Sequence, residues 1–381
     1  MKLFLEEWIQ PKINVREDYA IVAITKHGTV LARKLHRVFS GSDVYYMEKF
    51  EQGDEAGKGI TMFSGSVRHL LPALFRSYRG IILIISLGAV VRMIAPILKD
   101  KKTDPGIVVL DDKGQYAISV LSGHLGGANE LAVEVASLIG AHPVITTASD
   151  VQKTIPVDLL GKRFGWVWES AEKLTPVSAS VVNEEQVAFI QESGEKEWWH
   201  HDRPLPSNIK KYDSIADAIA AKPDAALVVT HRKLTLEEER ILENGVLYRP
   251  KVIVLGIGCN RGTEAEEIIS VIEETLEELQ FSLKSVKAVA TIDLKKDEQG
   301  LLEVVSKHGW AFHCYTPAEL NSVKIEQPSK TVFKYTGAHG VSEPAALLYS
   351  RAKSLAVVKK KSGNVTISVA LAKDGLPENM E

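Results

Sequence analysis

The chain has 381 residues, of which 45% are hydrophobic and 25% charged, and its formal net charge is −3. This length and composition fit a globular protein of two or three domains and exclude collagen-like order, extended disorder and a disulfide-stapled scaffold. The near-neutral balance does not indicate nucleic acid binding, and the two cysteines, Cys259 and Cys314, are typical of a reducing compartment.

The sequence predicts no membrane attachment. Its main apolar stretch, residues 81–91, is far shorter than the roughly 18 residues that a membrane-spanning helix needs. Glu6 and Glu7 interrupt the N-terminal segment where a secretion signal would be apolar. We therefore expect a cytoplasmic protein without membrane or nucleic acid partners.

The first 150 residues alternate predicted strands with predicted helices. Short apolar runs predict strands at 20–25, 44–47, 81–86, 107–110, 116–120 and 144–147, and helical spacing predicts helices at 30–39, 66–78 and 129–139. The polar segment 48–63 predicts a loop, and the turn-rich DDKGQ predicts a hairpin between 107–110 and 116–120. This alternation predicts an open, mainly parallel sheet with helices on both faces.

The remaining sequence predicts two further domains. Residues 151–248 predict a small middle domain, with strands at 187–190 and 225–230. From Arg249-Pro250 onward, apolar runs predict strands at 252–255, 286–292, 310–314, 355–358 and 365–370, with helices at 263–279, 298–308 and 343–353. The fold class is therefore three-domain α/β, with domains at 1–150, 151–248 and 249–381.

Segment 87–106 is the first candidate site, because ligands of open α/β sheets bind beyond the carboxyl ends of strands. Gly88 opens the turn after a buried strand, and a helix start attracts anions. The cations of this segment are Arg92, Lys99, Lys101 and Lys102, and they stand among Asp100 and Asp104. One interpretation is a carboxylate- or phosphate-binding loop, with Arg92 gripping a carboxylate through two hydrogen bonds. The alternative is a solvated charged turn.

A second candidate is the glycine-rich junction 121–130. Gly123, Gly126 and Gly127 allow a sharp bend or close approach to a ligand, and Ser122 and His124 lie in the same bend. A histidine there is a candidate acid or base, although a structural histidine bonded to a loop carbonyl is equally consistent. Asn129 is either a substrate contact or a helix cap.

Segment 145–150 is the third candidate, again just after a predicted strand. Thr146 and Thr147 supply hydroxyls, as does Ser149, and Asp150 supplies a carboxylate. These residues form either a helix N-cap or one polar wall of a cleft. Because 87–106, 121–130 and 145–150 each follow a strand of one sheet, we expect them to converge on one edge.

The C-terminal motif at 254–267 is a weaker candidate. Its G-x-G-x-x-x-G spacing is one residue too long for a dinucleotide site, and glutamates at 264, 266 and 267 oppose a phosphate. Arg261 is a candidate contact for a carboxylated ligand, whereas Cys259 is expected to be inert. Metal motifs are weak, since His200 and His201 are adjacent rather than one helical turn apart.

Long motifs in these segments are similar to those of a known family. The strings GAVVRMIAPILKDKKTDPGIVVLDD, VLSGHLGGANELA and PVITTASD closely resemble the cobalt-precorrin-5A hydrolases (CbiG) of anaerobic cobalamin biosynthesis. The family usually has TTATD, and Ser149 here keeps the hydroxyl. LGIGCNRGT, GAHGVSEPAAL and VVKKKSGNVTISVA resemble its third domain, which also occurs as a separate protein in aerobic pathways.

The resemblance implies a specific reaction. The substrate is a cobalt-bearing, ring-contracted tetrapyrrole whose δ-lactone is opened by water, with release of acetaldehyde and formation of cobalt-precorrin-5B. It implies no protein-held cofactor or metal, because the substrate carries the cobalt. Other cobalamin-pathway enzymes are possible partners, and the oligomeric state stays open. The alternatives are a non-catalytic tetrapyrrole-binding or handover protein and a nucleotide-dependent α/β enzyme.

The candidate residues can be given roles in that chemistry. Arg92 and the three lysines of 87–106 are expected to bind the acetate and propionate arms. His124 is the expected base, with Asp104 or Asp150 orienting it or sharing its role. Backbone N–H groups of Gly126 and Gly127 are candidates for stabilising the oxyanion.

Overall fold

The computed structural model describes residues 13–199, 204–326 and 328–372. The chain divides into two compact units between Leu159 and Leu160, nine residues after the first predicted boundary at 150. Predictions that concern Glu6, Glu7, His200 and His201 lie outside the described residues. Within the described ranges, no helix is both long enough and apolar enough to cross a bilayer.

The first unit is built on a seven-stranded sheet in the order β3-β2-β1-β4-β5-β6-β7. Every neighbouring pair is parallel except β5 and β6. The strands are β1 Tyr19–Ala23, β2 Ser42–Met47, β3 Ile60–Phe63, β4 Gly80–Ile84, β5 Gly106–Leu110, β6 Tyr116–Leu121 and β7 His142–Val144. The helices are α1 Lys26–Val38, α2 Val67–Ser77, α3 Leu87–Ile94, α4 Ala128–Ile139 and α5 Ala148–Gln152.

Two apolar layers cover the two faces of this sheet. Leu35 of α1 and Val135 of α4 pack on one face, and Leu71 of α2 and Val90 of α3 pack on the other. The central strands are buried on both faces, which explains why their sequences are continuous apolar runs. The predicted mainly parallel sheet with helices on both faces is confirmed.

Strand β3 was not predicted. The segment 48–63 was expected to be a loop, but its last four residues, Ile60–Phe63, pair in parallel with β2 at the edge of the sheet. A four-residue strand after a polar stretch has too few alternations to show a period of two, so its pairing depends on the neighbouring strand.

The hairpin between β5 and β6 decides where the loops of this sheet lie. β5 runs parallel to β4, with Gly106 opposite Gly80, whereas β6 runs antiparallel to β5, with Leu121 opposite Ile107. The carboxyl end of β6 therefore lies beside the amino ends of β4 and β5, and β7, parallel to β6, ends there too. We call this side the β6 edge, and the side where β1, β4 and β5 end the β4 edge.

The predicted convergence of three loops holds only in part for this reason. Segments 121–130 and 145–150 both begin at the β6 edge. Segment 87–106 begins at the β4 edge with Gly88, and α3 carries the chain about 12 Å across the sheet face. Its last residues then reach the β6 edge before β5 begins at Gly106.

The second unit contains two five-stranded sheets. The middle sheet has the order β10-β9-β11-β12-β8, and only β8 is antiparallel to its neighbour. Its elements are β8 Val167–Trp168, α6 Leu174–Val182, β9 Val187–Gln191, β10 Ile209–Tyr212, α7 Ile215–Ala220, β11 Ala225–Val229 and β12 Gly245–Arg249. The prediction of strands near 187–190 and 225–230 is confirmed.

The C-terminal sheet has the order β15-β14-β13-β17-β16, parallel on the β15 side and antiparallel on the β16 side. Its strands are β13 Ile253–Cys259, β14 Val286–Ile292, β15 Ala311–Tyr315, β16 Val357–Ser362 and β17 Val365–Leu371. Its helices are α8 Ala265–Glu278, α9 Gln299–His308, α10 Pro317–Asn321, α11 Lys330–Thr336 and α12 Ser342–Ser350. The three sheets confirm the predicted three-part α/β organisation.

Candidate active site

The glycine-rich bend after β6 is shaped by contacts that leave no room for larger side chains. A Cβ at Gly123 would lie 2.7 Å from Oδ1 of Asn129, and a Cβ at Gly126 would lie 2.4 Å from Cβ of Ser122. Gly127 has a φ of +77°, in the left-handed region that glycine adopts most easily. The bend therefore needs these glycines, and it presents His124 at its apex.

Ser122 occupies an unusual place in the same bend. Its φ is +54°, which is uncommon for a residue with a side chain. Its Oγ is buried and has no hydrogen-bond partner among the described residues. Strained backbone of this kind is found preferentially at functional sites. This observation fits the predicted place of Ser122 in a binding loop, which stays a proposal.

His124 lies between two carboxylates of the same unit. Its Nδ1 is 2.9 Å from Oδ1 of Asp158, and its Nε2 is 3.1 Å from Oδ2 of Asp150. Ser149 Oγ also lies 3.2 Å from Nε2. The histidine side chain is 15% exposed and that of Asp150 is 38% exposed, so solvent reaches the site from the Asp150 side. We call these four residues the His124 cluster.

The two carboxylates raise the pKa of His124 to about 9. The hydrogen bond to Asp150 is the largest cause and the bond to Asp158 the next, and together they outweigh the lowering by burial. At neutral pH the ring is therefore an imidazolium, with both nitrogens donating. Such a group can give up a proton and stabilise developing negative charge, while the more exposed carboxylate of Asp150 can accept a proton from water.

Asn129 positions Asp150 from the first turn of α4. Its Nδ2 donates to Oδ2 of Asp150 at 2.6 Å and to Oγ1 of Thr147 at 2.9 Å. Its Oδ1 accepts from Ser119 Oγ at 2.6 Å. Because its side chain is buried and bonded at both ends, Asn129 holds the cluster in place, and its role as a substrate contact stays a prediction.

Asp104 reaches the same edge of the sheet but is bonded elsewhere. Its carboxylate accepts the backbone N–H of Lys99, at 3.2 Å to Oδ1 and 2.9 Å to Oδ2. Its backbone carbonyl approaches Gly126, where an added Cβ would lie 3.1 Å away. Asp104 and Asp150 were both expected as partners of His124. Among the described contacts, Asp150 is bonded to the histidine, whereas Asp104 is bonded within the neighbouring turn.

Gly88 and Arg92 lie away from this cluster, on the segment that begins at the β4 edge. Arg92 Nη1 donates to the carbonyl of Gly88 at 3.0 Å, within its own helix. Lys99, Lys101 and Lys102 are exposed in the turn at the β6 edge. The single basic loop expected from the sequence is thus split by α3 into two groups on opposite edges.

Two further residues of the predicted site, Thr146 and Gly127, differ in whether they can contact a ligand. Thr146 is exposed at the start of the third segment, as a cleft wall would require. The N–H of Gly127 donates to the carbonyl of His124 at 2.9 Å, which closes the bend. This amide is therefore occupied, and the expectation that it stabilises an oxyanion is not supported.

Arg261 belongs to the second unit and is engaged in ion pairs. Its Nη1 lies 2.6 Å from Oδ1 of Asp297 and 3.6 Å from Oε2 of Glu298, and its Nη2 donates to the carbonyl of Leu294 at 2.9 Å. Burial raises the pKa of the neighbouring Cys259 thiol, which keeps it protonated and agrees with the inert role expected for it.

Asp158 is the functional candidate that sequence reasoning missed. It is 34 residues from His124 and follows a short helix rather than a strand. No spacing rule connects it to the glycine-rich bend. Its position directly after the buried residues Ile155 and Val157 brings its carboxylate to the histidine.

Three family models match successive parts of the chain. The model "Cobalamin synthesis G N-terminal" matches residues 69–150, "Cobalamin biosynthesis central region" matches 155–250, and "Cobalamin synthesis G C-terminus" matches 253–370. The three matched regions each contain most of one of the three sheets.

Curated proteins are similar over nearly the whole chain. A cobalt-precorrin-5A hydrolase of Priestia megaterium is 72% identical over 367 residues, covering 96% of this chain and 98% of that protein. A cobalt-precorrin-5A hydrolase of Salmonella typhimurium strain LT2 is 30% identical over 363 residues, covering 93% and 98%. Protein CobE of a Sinorhizobium species is 33% identical over 121 residues, covering 31% of this chain and 79% of that protein.

Proposed function

We propose residue roles for the reaction of the family to which this chain belongs, the cobalt-precorrin-5A hydrolases of cobalamin biosynthesis. The chain is a hydrolase of that pathway, and its substrate is cobalt-precorrin-5A. Water opens the δ-lactone, the two-carbon unit leaves as acetaldehyde, and the product is cobalt-precorrin-5B. The His124 cluster is the catalytic centre.

In the first step, Asp150 takes a proton from water while the water oxygen bonds to the lactone carbonyl carbon. The oxyanion of the tetrahedral intermediate forms beside the imidazolium of His124, whose charge stabilises it. The intermediate then expels the alkoxide, leaving the acetate arm as a carboxylic acid. His124 gives its proton to the alkoxide oxygen and becomes neutral, which balances the step.

In the second step, neutral His124 removes the hydroxyl proton that it has just donated. The C–O bond becomes the carbonyl of acetaldehyde, and the bond between that carbon and the ring breaks. The electron pair of the broken bond passes into the conjugated macrocycle, which takes up the proton that Asp150 removed from water, so that both catalytic groups return to their starting states. His124 therefore acts first as an acid and then as the base that its place in the bend suggested, and Asp158 holds its Nδ1 throughout.

One observation carries these roles: both nitrogens of His124 face carboxylates, at 2.9 and 3.1 Å, and one carboxylate is partly open to solvent. Two titratable groups with separated roles at one accessible edge are typical of acid–base sites. The imidazolium between Asp150 and Asp158 is a poor free base at neutral pH, which favours a ring that donates a proton before it accepts one.

The surrounding residues complete the proposal. Lys99, Lys101 and Lys102, at the β6 edge, bind carboxylate arms of the macrocycle, with Ser122 and Thr146 as nearby polar contacts. Cobalt enters with the substrate, as the reaction of the family implies. The enzyme acts in the cytoplasm and exchanges its substrate and product with other enzymes of the pathway.

The test is direct turnover. Purified enzyme is incubated with cobalt-precorrin-5A, and released acetaldehyde is trapped with an aldehyde reagent and counted against enzyme. Many equivalents of aldehyde per enzyme support catalysis, and their loss in Asp150→Asn supports the assigned base. A handover protein, the alternative left open by the sequence, would bind one equivalent of tetrapyrrole and release no aldehyde.

A further inference from the structure

A cavity of about 660 Å³ lies in the first unit, between the last turns of α2 and the turn after α3. Its volume falls in the range of about 300–1,000 Å³ that is typical of small-molecule sites. Its apolar lining includes Pro72, Phe75 and Leu98, and its charged lining includes Arg76, Lys99 and Asp104. Leu98 is 43% exposed, so its side chain is accessible to a ligand in the cavity.

The cavity lies at the same side of the sheet as the His124 cluster. The last turn of α2 leads to Gly80, where β4 begins, and the turn containing Lys99 and Asp104 leads to Gly106, where β5 begins. Both strands begin at the β6 edge. Asp104 lines the cavity, and a Cβ added at Gly126 would lie 3.1 Å from the backbone carbonyl of Asp104, so the cavity wall lies against the glycine-rich bend.

The charges of the lining favour an anionic ligand. The Asp104 carboxylate is buried and accepts the backbone N–H of Lys99, so it is the least accessible of the charged groups in the lining. Arg76 and Lys99 contribute two positive charges at the exposed rim. An apolar floor with cations at its rim matches a ligand that has a flat hydrocarbon body and carboxylate arms.

We propose that this cavity is the subsite that holds one carboxylate-bearing edge of the tetrapyrrole during the reaction. The inference rests on the proposed function, because it takes the macrocycle as the ligand. Phe75 and Leu98 contact the apolar ring edge, and Arg76 and Lys99 bind acetate or propionate arms. Because its residues are assigned to the arms and the ring edge rather than to the lactone, this subsite contributes to binding rather than to the chemical steps.

The experiment measures KM and kcat for cobalt-precorrin-5A in the double variant Arg76→Gln/Lys99→Gln. We expect KM to rise about tenfold at low salt, with kcat within about twofold, because two charged contacts to the arms are lost. The rise should shrink at about 0.5 M salt, since these groups are exposed to screening. Leu98→Trp, which fills the cavity from an exposed position, should raise KM without changing the salt dependence.

Arg68→Gln is the matched control. Arg68 is an exposed arginine in the first turn of α2, at the other end of the helix from Arg76, and its loss removes one of the two unit charges that the double variant removes. Its KM should stay within about 1.5-fold of the parent. An equal rise in Arg68→Gln would mean that net charge, rather than the cavity, governs binding, and would overturn the inference.

The outcomes separate the two proposals. Turnover by the parent enzyme with an unchanged KM in folded double and Leu98→Trp variants would overturn the cavity and leave the function intact. Absence of acetaldehyde from the parent enzyme would overturn the function itself. An equilibrium titration of His124→Asn with cobalt-precorrin-5A, followed by tetrapyrrole absorbance, measures binding without turnover; adding the double substitution should weaken it about tenfold.

Discussion

His124 in the first unit and His231 in the second are both largely enclosed, but their surroundings move their pKa values in opposite directions. The carboxylates of Asp150 and Asp158 raise the pKa of His124 to about 9. His231 has a buried Nδ1 without a partner in the described part of the chain, and its ring packs edge-on against Phe281 at 4.6 Å. Burial lowers its pKa to about 4, although Glu192 acts in the other direction.

The difference shows that partners, not burial alone, decide what a histidine does. The imidazolium of His124 lies near solvent with an acceptor on each nitrogen. His231 lies at the joint between the middle and C-terminal sheets, where its backbone N–H donates to Ser193 Oγ at 3.1 Å and its backbone carbonyl accepts from the N–H of Ser282 at 2.7 Å. We therefore assign chemistry to the first and packing to the second.

The largest expected effect comes from removing the charged ring. His124→Asn should lower kcat by about 1,000-fold, because the proton donor and the charge beside the oxyanion are both lost. In the parent enzyme, kcat should also fall as pH rises through about 9, where the ring loses its proton. Acetaldehyde release measured from pH 6 to 10 checks both.

The control is His142→Asn, because His142 is an exposed histidine of β7, and this variant should keep the parental kcat. A parental kcat that rises through pH 9 would contradict the acid role of His124.

A second substitution makes His124 more like His231 by removing one acceptor. Asp158→Asn should lower the pKa of His124 toward its ordinary value of 6.5, since one of its two carboxylate bonds is lost. We expect kcat at pH 7 to fall about 10- to 100-fold, with the alkaline limb of the profile displaced to lower pH. An unmoved limb, or an unmoved histidine resonance in an NMR titration, would show that Asp158 has no part in holding the charge.

The comparison also predicts opposite pH dependences of stability. The folded pKa of His124 lies above its unfolded value, so its contribution is complete below about pH 6.5 and is lost as pH rises through about 9. The folded pKa of His231 lies below its unfolded value, so its contribution is complete above about pH 6.5 and is lost as pH falls through about 4. Each change should be at most about 3 kcal/mol in the free energy of unfolding.

Thermal unfolding from pH 4 to 10 measures these changes. His124→Asn should remove much of the alkaline loss and leave the acid loss, whereas His231→Leu should do the reverse. If neither variant alters either limb, the pKa values of both histidines are the same in the folded and unfolded chain, and the comparison fails.

The smallest effect is expected at Ser149. Its Oγ lies 3.2 Å from Nε2 of His124, which is also the geometry of a nucleophilic serine beside its base. Ser149 is buried, however, and Asp150 competes for the same nitrogen of a ring that is already protonated. Ser149→Ala should therefore lower kcat less than about threefold. A loss near 10,000-fold, or a trapped acyl-enzyme, would replace the water mechanism with a covalent one.

Much of the framework could be predicted from local sequence. Continuous apolar runs such as that of β4 are found in strands buried on both faces, and the expected hairpin of β5 and β6 is present. The glycines around His124 indicated a bend with a functional side chain. Strand β3 was missed because four residues carry too little periodicity, and its pairing comes from β2.

The predicted hairpin also determines at which edge of the sheet each candidate loop lies. An antiparallel β6 must end at the edge where β4 and β5 begin, so Gly88 and His124 cannot follow strands that end on the same side. No sequence pattern indicated Asp158 as a partner of His124, because a carboxylate after a short helix is common in any sequence.

The sequence by itself determined most strands of the first and C-terminal sheets, their longer helices and the glycine-rich bend, because propensity, periodicity and steric freedom act over a few neighbouring residues. Only the tertiary structure decided which groups meet. Asp158 reaches His124 across 34 residues, and Asp104, far nearer in sequence, is bonded to Lys99 instead. Side-chain contacts of this kind depend on strand direction and on packing between distant segments, and these determine both the partners of His124 and its charge.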